Sequence, residues 1–232
     1  MAGKTISNWI AEARKRNVDL EVFKTSKKQD MSRLRSLELP QFDSFDVPYT
    51  EFRKDSKTLM KFLKKHRRIT IRALPTPSGD KKGFTREYEN NWPSSFRSCM
   101  QFLGKIIKGN IKDYDVGISA WEPNDYGFIL ISGERYIRAE IARNVENLSH
   151  GEESPISSFV LDRAKVGHLE DKIIWLIKEG ESATILLKAL RAIKAPFDSF
   201  NSIFLEGYFE GVVTKTGIRF LDYKSNPAYL SE

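Results

Sequence analysis

The segment Phe209–Asn226 reads FEGVVTKTGIRFLDYKSN and predicts a β-hairpin. Runs rich in β-branched and aromatic residues, over 203–213 and 218–223, flank a polar turn that ends at Gly217. Glu210 and Asp222 stand at similar distances from this turn, so we expect them on neighbouring strands, where side chains on one face approach to about 5 Å. Such a pair either shares Mg²⁺, which takes carboxylates together with phosphate oxygens, or carries ordinary surface charge.

The rest of the sequence alternates blocks of strands with blocks of helices. Hydrophobic periodicity predicts strands over 68–74, 115–121, 127–132, 136–142 and 157–162. It predicts helices over 7–16, 56–66, 94–108, 169–178 and 182–194, and a long polar loop over 75–94. This order indicates an α+β fold, with a largely antiparallel sheet and flanking helices.

Composition excludes several classes of protein. With 232 residues, 40% of them hydrophobic, the chain can bury a core, so a disordered state is excluded. One cysteine and three histidines predict neither an internal disulfide nor a Cys/His zinc site, and Cys99 is expected to be buried. Because no apolar run approaches the roughly 20 residues of a membrane span and residues 1–15 lack a signal core, we expect a cytoplasmic protein without a membrane partner.

Positive charge is concentrated in the first part of the sequence. Residues 1–68 carry 17 Lys and Arg against 9 Asp and Glu, a net charge of +8, whereas residues 69–232 carry 21 against 22, a net charge of −1. The densest stretch lies within 53–68 and would attract a polyanion such as nucleic acid, or remain a solvated helix face. We therefore expect a basic region of helices and loops over 1–68.

The hairpin resembles the metal-binding end of ATP-grasp enzymes. In that superfamily an acid on one strand is followed about a dozen residues later by a second acid, with a polar residue beyond it. The resemblance implies that Glu210, Asp222 and Asn226 bind Mg²⁺ and that residues 69–232 form an ATP-grasp-like, nucleotide-binding region. It implies an ATP-binding protein, either a phosphotransferase or a carboxylate-activating ligase, with an unidentified small-molecule acceptor.

Earlier segments resemble the nucleotide-binding domain of phosphoenolpyruvate synthase and pyruvate phosphate dikinase. The strand around Arg72 is similar to a strand whose arginine contacts nucleotide phosphate. The segment that contains Trp121 and Glu122 is similar to a hinge that holds adenine. Lys81 and Arg86, in the predicted polar loop, would neutralise phosphate charge. Glu140 is a further candidate acid on the phosphate side.

Two other functions use the same residues differently. The hairpin with Lys224 beyond it also resembles late motifs of ATP-dependent nucleic-acid ligases, in which this lysine would contact the phosphate of the nucleotide. Those enzymes need a nucleophilic lysine in a Lys-x-Asp-Gly motif, and the sequence has none. The third hypothesis is a non-catalytic scaffold that binds RNA or protein through residues 53–68. The catalytic residues are not predicted.

Overall fold

The computed structural model describes residues 33–107, 109–133, 135–149, 152–162, 180–194 and 204–224. The chain divides into two compact units. The central unit is Phe42–Pro123, and the terminal unit combines the residues up to Gln41 with those from Asn124 onwards. The change in charge that the sequence shows at residue 68 falls inside the central unit.

The central unit is an antiparallel sheet with helices packed on it. Its elements are β1 (Ser44–Pro48), α1 (Tyr49–Phe52), α2 (Lys57–Lys65), β2 (Arg68–Pro75), α3 (Pro77–Lys81), β3 (Glu87–Pro93), α4 (Phe96–Ile106), a 3₁₀ turn (Ile111–Asp113) and β4 (Tyr114–Ala120). The strand order is β1-β4-β2-β3. Ser56 begins α2 and Ser95 begins α4, each by accepting a hydrogen bond from a backbone N–H three residues on.

Apolar residues alternate along the strands, so that one face of this sheet packs in a hydrophobic core. Ile69 and Ile71 are fully buried there, and Leu59 and Leu63 from the apolar side of α2 pack in the same cluster. Cys99 on α4 belongs to the cluster, and burial raises the pKa of its thiol to about 12. The prediction of a buried cysteine is confirmed.

The prediction of a loop over 75–94 is wrong, because the segment contains α3 and the edge strand β3. In β3 only Tyr88 and Trp92 are half-buried, and the other residues are exposed, so the strand lacks the apolar alternation that marks a half-buried strand. Trp92 holds the strand in place, since its indole N–H donates to the Ser98 carbonyl at 3.0 Å and its ring packs on Phe102.

An ion pair fastens α3 to the rest of the central unit. Lys82 Nζ donates to Asp113 Oδ2 at 2.5 Å, and Asp113 is 4% exposed. The hydrogen bond from Lys82 and a second one from Ser78 hold the pKa of Asp113 below its usual value of 3.8. A lowered pKa in the folded state stabilises the protein at pH values above the unfolded pKa, and this contribution is lost as pH falls through the folded value.

We therefore expect the central unit to lose stability as pH falls below about 4. Asp113→Asn removes the charge that is responsible, so the variant should be less stable than the parent at pH 7, with the difference shrinking toward pH 3. Urea denaturation at a series of pH values measures both quantities. A constant difference between parent and variant across this range would contradict the role of the ion pair.

The terminal unit contains a five-stranded antiparallel sheet. Its elements are β5 (Asn124–Ser132), β6 (Tyr136–Ala142), α5 (Val145–Ser149), β7 (Ser157–Asp162), α6 (Glu181–Ile193), β8 (Gly207–Thr214) and β9 (Gly217–Lys224), with strand order β7-β6-β5-β8-β9. Both sheets are antiparallel and carry helices, which confirms the predicted α+β class. The helices predicted over 7–16 and 169–178 lie outside the described residues.

One face of the terminal sheet forms the hydrophobic core with α6. Phe128 and Phe209 from the sheet and Leu186 and Leu190 from the helix are buried in a single cluster. The first residue of α6 is tied to the sheet, because Tyr126 donates its hydroxyl hydrogen to Glu181 Oε2 at 2.5 Å. The opposite face carries the residues of the candidate site.

Candidate metal and nucleotide site

Two carboxylates lie directly opposite each other on the last two strands. In the register of β8 and β9, Glu210 pairs with Asp222. Directly opposed residues of an antiparallel pair point to the same face, with Cβ atoms about 4.5–5.5 Å apart. This placement is the one that the hairpin sequence predicts.

A third carboxylate lies on the same line across the sheet. Glu210 pairs with Ile129 of β5, and Ile129 pairs with Glu140 of β6. The four residues Glu140, Ile129, Glu210 and Asp222 are called the carboxylate row below. Glu140 is 2% exposed and Asp222 is 6% exposed, so two of the three acids are shielded from solvent.

A β-bulge directs Asp222 away from the core. Glu210 pairs with Asp222, yet the next residue, Gly211, pairs with Phe220, so Leu221 is an extra residue in β9. Phe220 and Asp222 would share a face in a regular strand, and the extra residue sends them to opposite faces. Phe220 packs in the core against Phe128, with ring centroids 5.5 Å apart.

The neighbouring row of the same face carries cations and a tyrosine. Two residues along each strand from the carboxylate row, Lys224 pairs with Tyr208, Tyr208 with Ile131, and Ile131 with Arg138. These four residues are called the cation row. Lys224 is 8% exposed and Tyr208 is fully buried, while Arg138 is exposed. Tyr208 donates its hydroxyl hydrogen to Glu210 Oε1 at 2.7 Å, which links the two rows and orients the Glu210 carboxylate.

On its other side the carboxylate row is bordered by tightly packed backbone. Gly127 of β5 pairs with Val212 and lies two residues before Ile129, on the same face. A Cβ at Gly127 would stand 2.6 Å from the backbone nitrogen of Val145, so α5 approaches this strand more closely than any side chain allows. The face is therefore covered at this end, next to the acids.

The donor set fits Mg²⁺ that arrives with a phosphate ligand. Mg²⁺ in nucleotide sites uses one or two carboxylates and takes its remaining oxygens from phosphate and water. Within the described ranges, no group of three or more His, Cys, Asp or Glu side chains is arranged to hold a metal ion. Asn226, the third predicted ligand, lies outside the described residues. The adjacent Lys224 is placed to interact with an anion bound at the same face.

Arg72 lies on the polar face of the central sheet. Its neighbours Ile71 and Ala73 point into the core, whereas Arg72 points away and donates from Nη1 to Ser119 Oγ at 3.0 Å. Arg72 pairs with Gly117, and Gly117 pairs with Asp46. The Asp46 carboxylate reaches over this glycine, since a Cβ there would stand 2.5 Å from Asp46 Oδ1. Gly117 thus lies between an acid and a guanidinium.

The other two predicted phosphate ligands of the central unit are exposed residues at different elements. Lys81 is exposed at the end of α3. Arg86 is exposed just before β3, with its guanidinium 5.1 Å from the centre of the Tyr88 ring. The polar loop predicted over 75–94, which includes both residues, instead contains a helix and a strand, so their contacts with phosphate rest on the resemblance alone.

Trp121 and Glu122 follow the end of β4 at Ala120 and are both half-buried. The Trp121 backbone N–H donates to the Arg68 carbonyl at 3.1 Å, which continues the β2–β4 pairing by one step. The central unit ends at Pro123, directly after Glu122. A hinge role for these two residues remains a prediction.

The sequence does not identify Arg138 and Tyr208 as members of the site. It indicates Glu140 as a candidate acid, but not that this residue lies in line with Glu210. Strand β5, which lies between β6 and β8, brings Arg138 and Glu140 level with residues of β8, whereas Tyr208 lies on β8 itself, two residues before Glu210. Alternation in β6 could have placed Arg138 and Glu140 on a common face. Nothing in the sequence fixes which residue of β6 is level with Glu210.

Comparison with known proteins finds similarity in solved structures only. No family model and no curated protein matches the chain. None of the helices in the described part of the chain is long and apolar enough to cross a membrane.

The matched solved structures include an ATP citrate lyase, a D-alanine–D-alanine ligase and a RimK domain ATP-grasp protein. ATP citrate lyase from Methanothrix soehngenii, in complex with citrate and coenzyme A, has a TM-score of 0.46 and 13% identity over 80% of this chain and 45% of that one. D-alanine–D-alanine ligase from Bacillus anthracis, complexed with ATP, has a TM-score of 0.39 and 8% identity over 86% of this chain and 55% of that one. The RimK domain ATP-grasp protein from Sphaerobacter thermophilus has a TM-score of 0.36 and 12% identity over 84% of this chain and 57% of that one.

The chain spans about half the length of these proteins, from 45% to 57%. TM-scores below 0.5 and identities of 8–13% carry no argument about activity or residue roles, so those rest on the chain's own geometry. The resemblance to the phosphoenolpyruvate synthase branch stays a prediction. The solved structures that match include an ATP-grasp protein.

Proposed function

We propose that this chain binds Mg-ATP and uses it to activate the carboxylate of a small molecule, as an enzyme of ATP-grasp type. The observation that carries the proposal is the carboxylate row, which sets Glu210 opposite Asp222 on the polar face of the terminal sheet. Two carboxylates on one face are the ligands that Mg²⁺ takes when it binds together with a nucleotide, and the metal then neutralises charge on the phosphates.

The roles of the residues follow from their chemistry. Glu210 and Asp222 would hold Mg²⁺, with Tyr208 keeping the Glu210 carboxylate oriented. The bound metal would neutralise charge on the phosphates. Lys224, in the neighbouring row of the same sheet, is the cation that would contact phosphate oxygens. Glu140 would add negative charge near the metal, which favours a divalent over a monovalent cation.

Nucleotide-dependent thermal stabilisation tests the proposal. A bound ligand at 100 times its dissociation constant stabilises a protein by about 2.7 kcal/mol, which is readily visible as a shift in Tm. We expect ATP to raise Tm only when Mg²⁺ is present. Stabilisation that is equal with and without Mg²⁺, or absent in both, would contradict the proposal.

Isotopic labelling separates this function from the nucleotidyltransferase alternative. With a library of small carboxylic acids, we expect Mg-ATP to be converted to ADP in an acceptor-dependent reaction. A nucleic-acid ligase would instead attach the labelled α-phosphate of ATP to the protein, and γ-labelled ATP would leave it unlabelled. Covalent α-label on the protein would favour the alternative over the carboxylate-activating enzyme.

Replacing the predicted phosphate ligand should weaken nucleotide binding. Arg72→Ala removes a half-buried guanidinium from the polar face of β2, and we expect the Kd for Mg-ATP to rise by about tenfold, or about 1.4 kcal/mol. Calorimetric titration measures this value, and Arg97→Ala, which removes an exposed arginine of the same unit, serves as the matched control. Equal affinities for the parent and Arg72→Ala would contradict a role for Arg72 in nucleotide binding.

A further inference from the structure

The exposed side of α2 carries lysines and no acid. Lys57, Lys61, Lys64 and Lys65 fall within one stripe of about 100° on the helix, and all four are exposed. They are called the lysine face below. The sequence contains neither Asp nor Glu from residue 56 to residue 68, and Arg67 and Arg68, both exposed, continue the charge beyond the helix.

Most of this charge is not balanced by the fold. Lys65 forms an ion pair with Asp43, but in the described ranges Lys57, Lys61 and Lys64 form no ion pair. Lysines four residues apart, as Lys57 and Lys61 are, repel each other along a helix and destabilise it. A helix that keeps such a pattern gains from an anionic partner that neutralises it.

The apolar side of the same helix is buried in the fold, which excludes partners that need apolar contacts. Leu59 is fully buried and Leu63 is 3% exposed, so the helix has no free apolar side that could insert into a lipid surface. The large hydrophobic residues that are exposed in the described part of the chain, Ile156 and Val160, both belong to the terminal unit. The lysine face therefore lacks the buried apolar anchors typical of protein–protein interfaces.

We propose that the lysine face, extended by Arg67 and Arg68, binds the phosphodiester backbone of a nucleic-acid strand. Backbone binding needs cations and no apolar contact, which is the composition of this face. Successive lysines four residues apart are separated by about 6 Å along the helix, close to the distance between neighbouring phosphates of an extended strand. This binding does not depend on nucleotide or Mg²⁺ at the carboxylate row.

Fluorescence anisotropy with a labelled mixed-sequence RNA of 12 nucleotides, without ATP or Mg²⁺, tests this surface. Lys57→Gln/Lys61→Gln/Lys64→Gln should weaken binding at least about tenfold at 50 mM salt and lower the slope of log K against log[salt] by about 2. The matched control, Lys105→Gln/Lys112→Gln/Lys215→Gln, removes the same charge from exposed lysines elsewhere and should leave the slope unchanged. DNA of the same sequence should bind similarly, since phosphate contacts do not read the 2′-hydroxyl.

Three results would overturn the proposal. The first is that neither RNA nor DNA binds the parent chain at 50 mM salt, and the second is that the two triple variants lose affinity equally. The third is that poly-glutamate or vesicles of anionic lipid bind the parent more tightly than RNA does, which would identify a different partner. Because removal of repelling lysines should not lower Tm, the thermal midpoint of the first variant distinguishes lost binding from lost folding.

Discussion

Asp222→Asn should abolish most Mg-dependent nucleotide binding while leaving the fold intact. The change removes one negative charge from the carboxylate row but keeps Oδ1, which accepts the Tyr223 backbone N–H at 3.0 Å. Because Mg²⁺ prefers charged oxygen ligands, we expect the Kd for Mg-ATP to rise by at least the order of 10- to 100-fold. Isothermal titration measures it directly.

A matched substitution separates the metal site from a general loss of charge. Asp125→Asn makes the same chemical change at an exposed position of β5 in the same sheet, and its affinity should equal that of the parent. ATP binding in the absence of Mg²⁺ should not weaken in Asp222→Asn, since the removed carboxylate repels phosphate. Equal weakening by both variants would contradict the assignment of Asp222 to the metal.

Phe220→Ala should strongly destabilise the terminal unit. Phe220 is 2% exposed and lies against Phe128 and Phe209, with ring centroids 5.5 and 5.8 Å away. Removing a buried phenylalanine ring costs about 3–5 kcal/mol, since the cavity is only partly refilled. Urea denaturation followed by circular dichroism should show this loss in the midpoint of the transition.

The comparison with Leu221→Ala tests the bulge itself. Leu221 is the extra residue of β9 and is half-buried, so its truncation should cost much less than that of Phe220. If the hairpin kept the pairing of Glu210 with Asp222 but had no bulge, Leu221 would take the place opposite Gly211 in the core, and Phe220 would share the polar face with Asp222. If Leu221→Ala lowers the stability more than Phe220→Ala does, the register of the hairpin differs from the one described.

The same bulge marks the limit of what the hairpin sequence predicts. The turn, the two strands and the pair of acids could all be predicted from residue types. Counting back from the pairing of Thr214 with Gly217, however, a regular hairpin sets Glu210 opposite Leu221. Glu210 pairs with Asp222 only because one residue of β9 is left out of the hydrogen-bonded pairing of the two strands. No local sequence pattern predicts this β-bulge.

Long-range pairing sets the second limit. Glu140 is 70 residues before Glu210 in the sequence and joins its row through the registers of β6 with β5 and of β5 with β8. Each register depends on packing across the whole sheet. The edge strand β3 was missed for a related reason, because tertiary contacts of Trp92 hold a polar segment that has little strand pattern of its own.

The most direct test of the central claim is a crystal structure of the chain with Mg²⁺ and a non-hydrolysable ATP analogue. We expect an octahedral metal about 2.0–2.1 Å from carboxylate oxygens of both Glu210 and Asp222, with phosphate oxygens completing its shell. Nucleotide bound away from these two residues, with the carboxylate row free of metal, would contradict it.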